Sequence, residues 1–225
     1  MSETSSSISI IIPTFNAEVS ISRLCKELLR VFDKFKKQII IINDCSTDNT
    51  HEECLKLVKE HNDELTYIKL SKNVGEHNAV MAGLKYSTGD WLIIMDDDFQ
   101  NPPNEALKLL NYSLSNQFDV VYGNYKKKKH NFFRNLISKI NDLTANYILN
   151  KPKGLYLSSF KTINKKIAKQ ISNYYGPFPY IDGLIISSTS NISSIETQHD
   201  ERRTGKSGYS LIKLLKLYGN MATNF

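Results

Sequence analysis

Three carboxylates in a row, Asp96, Asp97 and Asp98, form the most chemically loaded stretch of this 225-residue chain. They follow an apolar run, Trp91–Met95, whose length suits a buried strand and is short for a helix. Gln100 comes next, then Pro102 and Pro103, a pair that stops a strand and can start a helix. Side chains alternate along a strand, so an extended backbone past Met95 would turn Asp96 and Asp98 to one face and Asp97 to the other. Two hard oxygen ligands at the end of a buried strand suit Mg²⁺ or Mn²⁺ held beside a diphosphate. One acid would be enough to cap the next helix. Three repel one another by about 1 kcal/mol per neighbouring pair even in water, so a cation or a basic cluster is the better account.

A second constellation runs from His199 to Tyr209. Small residues at Gly205, Ser207 and Gly208 let backbone N–H groups turn toward an anion. Arg202, Arg203 and Lys206 add charge-assisted donors; the plain alternative is a surface loop. The formal net charge of +6 is uneven. Between Asn124 and Gln170 there are 12 Lys and Arg against one acid, Asp142. Such a segment fits an anionic partner: nucleic acid, an acidic membrane surface or a phosphorylated substrate. No G-x-G-x-x-G follows the first apolar run and no Walker lysine motif occurs, so phosphate charge falls to a metal and to basic side chains.

The elements that must position these groups alternate. Ser7–Ile12, Gln38–Ile42, Leu65–Leu70, Trp91–Met95 and Phe118–Tyr122 read as strands. Helical spacing fills the gaps: from Ile21, up to His61 with Thr47 or Asp48 as cap, up to Tyr86, and from Asn104. That alternation implies a parallel sheet covered on both faces, with ligands beyond the carboxyl ends of the strands. Four polar loops then share one rim: Pro13–Asn16, Asn43–Asp48, Asn73–His77 and Asp96–Gln100. Past Gly123 the character changes. Asn131–Leu149 is amphipathic, either packed on the core or lying on a membrane surface. Leu155–Phe160 reads as a strand, Asn164–Ser172 as a helix, Leu184–Ile186 as an apolar run after a turn, and Ser210–Met221 as a closing helix. The 3 cysteines lack a C-x-x-C, which argues against a disulfide framework or zinc knuckle and fits a reducing compartment. The N-terminus lacks the pattern of a secretory leader, and no apolar run is long enough to span a bilayer.

Taken in order, IIPTFN, IIINDCSTDNT, LSKNVGEHNAVMAGL and GDWLIIMDDDFQNPP resemble the inverting GT-A glycosyltransferases of family 2. VVYG, the SSFK box, PYIDG and H-x-x-R-x-x-G-K-S-x-Y resemble its polyprenyl-phosphate branch, the dolichol-phosphate mannosyltransferase-like enzymes. The resemblance covers nearly the whole chain from Ser7. It implies an α/β GT-A fold, with a Rossmann-like, mostly parallel sheet flanked by helices and with C-terminal amphipathic helices. Residues 1–123 would form the nucleotide-sugar half, 124–208 the acceptor half, and 209–225 a helix near the membrane. The implied reaction moves a sugar from a nucleotide-diphospho-sugar, with UDP preferred, to a lipid-linked phosphate with inversion. Pro13, Thr14, Asn16 and Asp44 would hold the nucleoside, flanked by Asn73 and Gly75. Asp96 would face the diphosphate and ribose, with Asp97 beside it in the donor site. Asp98 and Gln100, with Asp96, would hold Mg²⁺ or Mn²⁺. Arg202 would clamp both phosphates, with Lys206, Ser207 and Lys161 as further acceptor-phosphate contacts. Asp182 stands where relatives carry a base or an orienting acid, or else caps the following helix.

Three departures from the family pattern stand out. Asn43-Asp44-Cys45-Ser46 replaces paired acids and Gly, Glu76-His77 replaces a Lys, and Asn124-Tyr125-Lys126 replaces G-x-R. The expected partners are the donor, the lipid phosphate and a membrane surface, with the enzyme peripheral on the inner, cytoplasmic face and self-association left open. A family 2 enzyme acting on a saccharide or protein is the alternative, and would need a general base. A non-catalytic binding module is the third reading. It lacks the interleaved aromatics of a nucleic-acid binder, so no nucleic-acid partner is expected.

Overall fold

The computed structural model describes residues 6–125, 154–176 and 178–200. In chain order the described elements are β1 (Ile8–Thr14), α1 (Ile21–Val31), β2 (Lys37–Asn43), α2 (Thr50–Glu60), β3 (Leu65–Lys69), α3 (Glu76–Tyr86), β4 (Trp91–Ile94), α4 (Pro103–Asn116), β5 (Val120–Tyr125), β6 (Lys161–Asn164), α5 (Lys165–Ser172), α6 (Ile181–Ser188) and β7 (Ile192–Thr197). The strands form one seven-stranded sheet in the order β3-β2-β1-β4-β6-β5-β7. Six run the same way, and β6 runs against both its neighbours.

The isoleucine-rich strands explain the layering. A parallel sheet covered on both faces selects near-continuous apolar runs, and alternate residues of β1 and β2 supply two cores. Ile10, Ile12, Ile39 and Ile41 join Leu24, Leu28, Cys54, Leu57, Leu109 and Leu110 under α1, α2 and α4. Ile11, Ile40 and Ile42 join Ala79, Leu84, Ile167, Ile171 and Ile185 under α3, α5 and α6. The approach of α3 is close: a Cβ on Gly83 would stand 2.6 Å from Ile11 Cγ2 and 2.9 Å from Ile42 Cδ1. This is the mostly parallel α/β architecture expected from the alternating pattern.

The second half differs in detail. Leu155–Phe160 is not a strand. The Ser158 hydroxyl sits 2.8 Å from both the Gly123 and Phe160 carbonyls. The strand forms one step later, at the polar segment Lys161–Asn164, because only there do β4 and β5 offer ladders on both sides. The apolar run at 184–186 is part of α6, and β7 was not anticipated. The N-cap position of α2 is Asn49, which makes no side-chain capping bond, rather than Thr47 or Asp48; Asp48, just before it, accepts the Thr50 N–H at 3.0 Å and its hydroxyl at 2.5 Å. The amphipathic stretches at 131–149 and 210–221 lie outside the described residues.

Candidate active site

The parallel strands deliver the 13–16, 43–48, 73–77 and 96–100 loops to one rim, and polar side chains lace them together. Asn16 donates its N–H to Ser46 Oγ at 3.0 Å and accepts the Thr47 N–H at 2.8 Å. Asn43 accepts the Ser46 N–H at 2.8 Å. Asp44, nearly buried, accepts the N–H groups of Val74 at 2.7 Å and Gly75 at 2.8 Å, one on each oxygen. Its carboxylate therefore braces the loop that starts α3, where Gly75 takes φ +88°. Pro13 is half-buried, Thr14 is buried with its hydroxyl on the Ile12 carbonyl at 3.1 Å, and Asn73 is exposed. Asn16, Cys45 and Phe99, each on a rim loop, take positive φ of 55°, 61° and 61°. Left-handed backbone is uncommon for non-glycine residues and gathers at ligand sites.

The acidic stretch leaves the sheet at Ile94, so the extended spacing does not persist through Asp98. The acids still diverge, by turning. Asp96 accepts the Ser159 hydroxyl at 2.6 Å, whereas Asp97 accepts the Phe15 N–H at 3.2 Å. Asp98 is nearly buried and accepts the Gln100 N–H at 3.0 Å. Gln100 is tied in turn to Asp200, backbone to backbone at 2.9 Å and through its side-chain amide at 3.3 Å. Among the described residues no three His, Cys, Asp or Glu are grouped to hold a metal alone. Two carboxylates and an amide oxygen within five residues fit a hard cation completed by substrate oxygens, the usual habit of Mg²⁺.

Lys161 and Asp182 meet beside this rim. Lys161 begins β6, in register with Ile94 of β4 and Tyr122 of β5. Its ammonium, 3% exposed, is ion-paired and hydrogen-bonded to Asp182 Oδ1. Tyr122 donates its hydroxyl to the same oxygen at 2.9 Å and sets its ring 4.9 Å from Lys161 Nζ. Burial, with Asp182 adding to it, pushes the Tyr122 phenol well up. Asp182 lies in the first turn of α6 and makes no capping hydrogen bond there. His77, at the start of α3, packs edge-on against Tyr180 with centroids 5.4 Å apart. Burial holds its imidazole below the ordinary value; Asp182 pulls it upward and Lys161 downward.

The structure thus brings Thr14, Asn16, Asp44, Gly75, Asp96, Asp97, Asp98 and Gln100 to one rim, with Lys161 and Asp182 next to it. Arg202, Lys206 and Ser207 lie outside the described residues, which end at Asp200 against Gln100. Ser159, Tyr122 and His77 join the site without having been assigned a role from sequence. The SSFK box carried the signal for Ser159, and the VVYG motif the one for Tyr122.

Comparison with known proteins agrees with this fold. A family model described as glycosyl transferase family 2 matches residues 9–178. Undecaprenyl-phosphate 4-deoxy-4-formamido-L-arabinose transferases of Salmonella choleraesuis and Pectobacterium atrosepticum are each 28% identical over 218 residues. The alignments cover 96% of this chain and 66% of theirs, so the chain spans about two thirds of the length of these relatives. Glucosyl-3-phosphoglycerate synthase from Mycobacterium tuberculosis in complex with UDP shares the fold at TM-score 0.71 and 15% identity, covering 98% of this chain and 79% of that one. Its complex with Mn²⁺ and UDP-glucose superposes at TM-score 0.70 and 16% identity, covering 98% and 78%.

Proposed function

The chain belongs to glycosyl transferase family 2, and from that premise we propose that it moves a sugar, with inversion, from a UDP-sugar to the phosphate of a polyprenyl lipid, using Mg²⁺ or Mn²⁺. One observation carries the reading: the 13–16, 43–48, 73–77 and 96–100 loops converge on one rim that sets Asp96, Asp98 and Gln100 beside the nucleoside loops. The names of the relatives support the lipid acceptor, and the Mn²⁺ and UDP complexes of the fold neighbour support the donor and the cation.

In this reading Pro13, Thr14, Asn16, Asp44, Asn73 and Gly75 cradle the nucleoside. Asp44 does so by holding the 74–75 backbone as much as by direct contact. Asp96 and Asp97 orient the diphosphate and ribose. Asp98, Gln100 and Asp96 hold the cation, which neutralises charge building on the departing nucleoside diphosphate. Arg202, Lys206 and Ser207 supply donors to the acceptor phosphate. Lys161, neutralised by Asp182, adds field rather than a free ammonium. The nucleophile is a phosphate oxygen, ionised near neutrality, so no strong base is required. Residues 1–123 serve the donor and 124–208 the acceptor. Residues 209–225 lie near the membrane, and the enzyme acts as a peripheral protein on its inner face.

The test is direct. UDP with Mn²⁺ raises the melting temperature more than GDP or dTDP with Mn²⁺, and a panel of UDP-sugars with undecaprenyl phosphate gives a lipid-linked product. Transfer only to soluble sugars would sink the lipid acceptor; no response to any nucleoside diphosphate would sink the whole assignment.

A further inference from the structure

Two residues on either side of Phe160 face different partners. Ser159 gives its hydroxyl to Asp96 at 2.6 Å. Lys161 gives its buried ammonium to Asp182. A buried ammonium without a counter-charge is costly, so Lys161 goes where Asp182 holds it. The pair is anchored from below by Tyr122, which donates to the Asp182 oxygen that Lys161 also uses. Asp182 Oδ1 is therefore shared by an ammonium and a phenol, which fixes the orientation of the carboxylate. On the other side, Ser158 pins the same segment to Gly123 and Phe160. The Ser159–Asp96 bond and the Lys161–Asp182 pair therefore hang from one three-residue segment.

We propose that Asp182, Lys161 and Ser159 form a positioning chain that fixes the Asp96 carboxylate against the donor diphosphate, with Asp182 acting through Lys161 and not as a base. This inference rests on the functional reading above, in which Asp96 faces the donor. Asp182 and Lys161 are thereby recast, and Ser159 and Tyr122 gain roles.

The test uses the full chain, with turnover on a UDP-sugar and undecaprenyl phosphate, and with calorimetry of UDP binding with and without Mn²⁺. Ser159→Ala lowers kcat about tenfold, the scale of one hydrogen bond to a charged group. It weakens UDP binding in Mn²⁺ several-fold, leaves Mn²⁺-free UDP binding unchanged, and Ser159→Thr restores both. Asp182→Asn loses activity but keeps the acid limb of the pH–kcat profile. The double variant Lys161→Met with Asp182→Asn recovers about tenfold over Asp182→Asn, because no unpaired ammonium remains. A Ser159→Ala protein equal to wild type in both readouts overturns the proposal. So does a double variant no better than Asp182→Asn with the acid limb gone, the signature of a base. Should Asp182→Asn fail to fold, the Ser159 pair decides alone. A wild type that neither binds UDP nor transfers sugar defeats the functional reading itself; a working wild type with a silent Ser159→Ala defeats this inference only.

Discussion

The two halves of the rim are held by different chemistry. Around β1–β4, single carboxylates and amides accept backbone N–H groups from the neighbouring loop: Asp44 on Val74 and Gly75, Asn16 on Thr47, Asp97 on Phe15. Around β5 and β6 the organising contact is a buried ion pair shared with a tyrosine. The first device spreads a modest energy over many bonds, about 1 kcal/mol each and more for charged acceptors. The second concentrates it, so that loss of one partner leaves the other stranded. The β1–β4 side should therefore yield gradually to mutation and the β5–β6 side abruptly.

The largest expected effect tests the abrupt side. Asp182→Ala should cost about 3–5 kcal/mol of stability by stranding Lys161, read from the urea midpoint. A loss under 1 kcal/mol would mean the pair is solvated in solution and the contrast false. Next comes Asp98→Ala, which should cut kcat about 10²–10³-fold, the scale of removing one stabilising contact from a charged transition state. Its melting temperature should stay within a few degrees of wild type, so a protein that instead unfolds would show that the acidic loop serves the fold. Asp44→Ala should be milder, about 1–3 kcal/mol, with UDP affinity falling roughly in proportion on a calorimeter. If affinity holds while stability drops, Asp44 is a brace and nothing else.

The smallest effect is a pH term from His77, which touches the seam between the halves. Burial lowers its pKa from the ordinary 6.5. The unfolded chain then takes up a proton before the folded one does. The stability His77 contributes is whole above about pH 6.5 and declines as pH falls toward the folded value. The wild type should lose more of its urea midpoint between pH 7 and 5.5 than His77→Gln does; equal losses would place the acid sensitivity elsewhere.

Much of the first half, through β4, was legible because its signals are local. Short apolar runs such as Ile10–Ile12, Ile39–Ile42 and Leu92–Ile94, alternating with helical spacing, read as buried strands, and the loops that follow them in a parallel sheet must share an end. The region from β5 onward was less so. Lys161–Asn164 is a polar tetrapeptide that becomes a strand because two neighbours need it, and no propensity announces that. Leu155–Phe160 looked the better strand, yet Ser158 and Ser159 spend their hydroxyls on Gly123, Phe160 and Asp96. The partnership of Lys161 with Asp182 joins a strand start to a helix start 21 residues on, a separation that carries no periodic signal. Asp98 shows the reverse case: its place on the rim was legible from the strand before it, although the backbone past Ile94 is not extended.

The left-handed turn at Cys45 has a practical side. Cys25 and Cys54 sit in the core, and burial pushes both thiols up, Cys54 to about 12. Cys45 alone of the three is half-exposed, next to Asp44 on the rim. A maleimide should modify that sulfur first, and a bound nucleotide should slow it. On the proposed donor reading, the wild-type chain would thus carry a built-in chemical reporter of nucleotide occupancy that needs no engineered label.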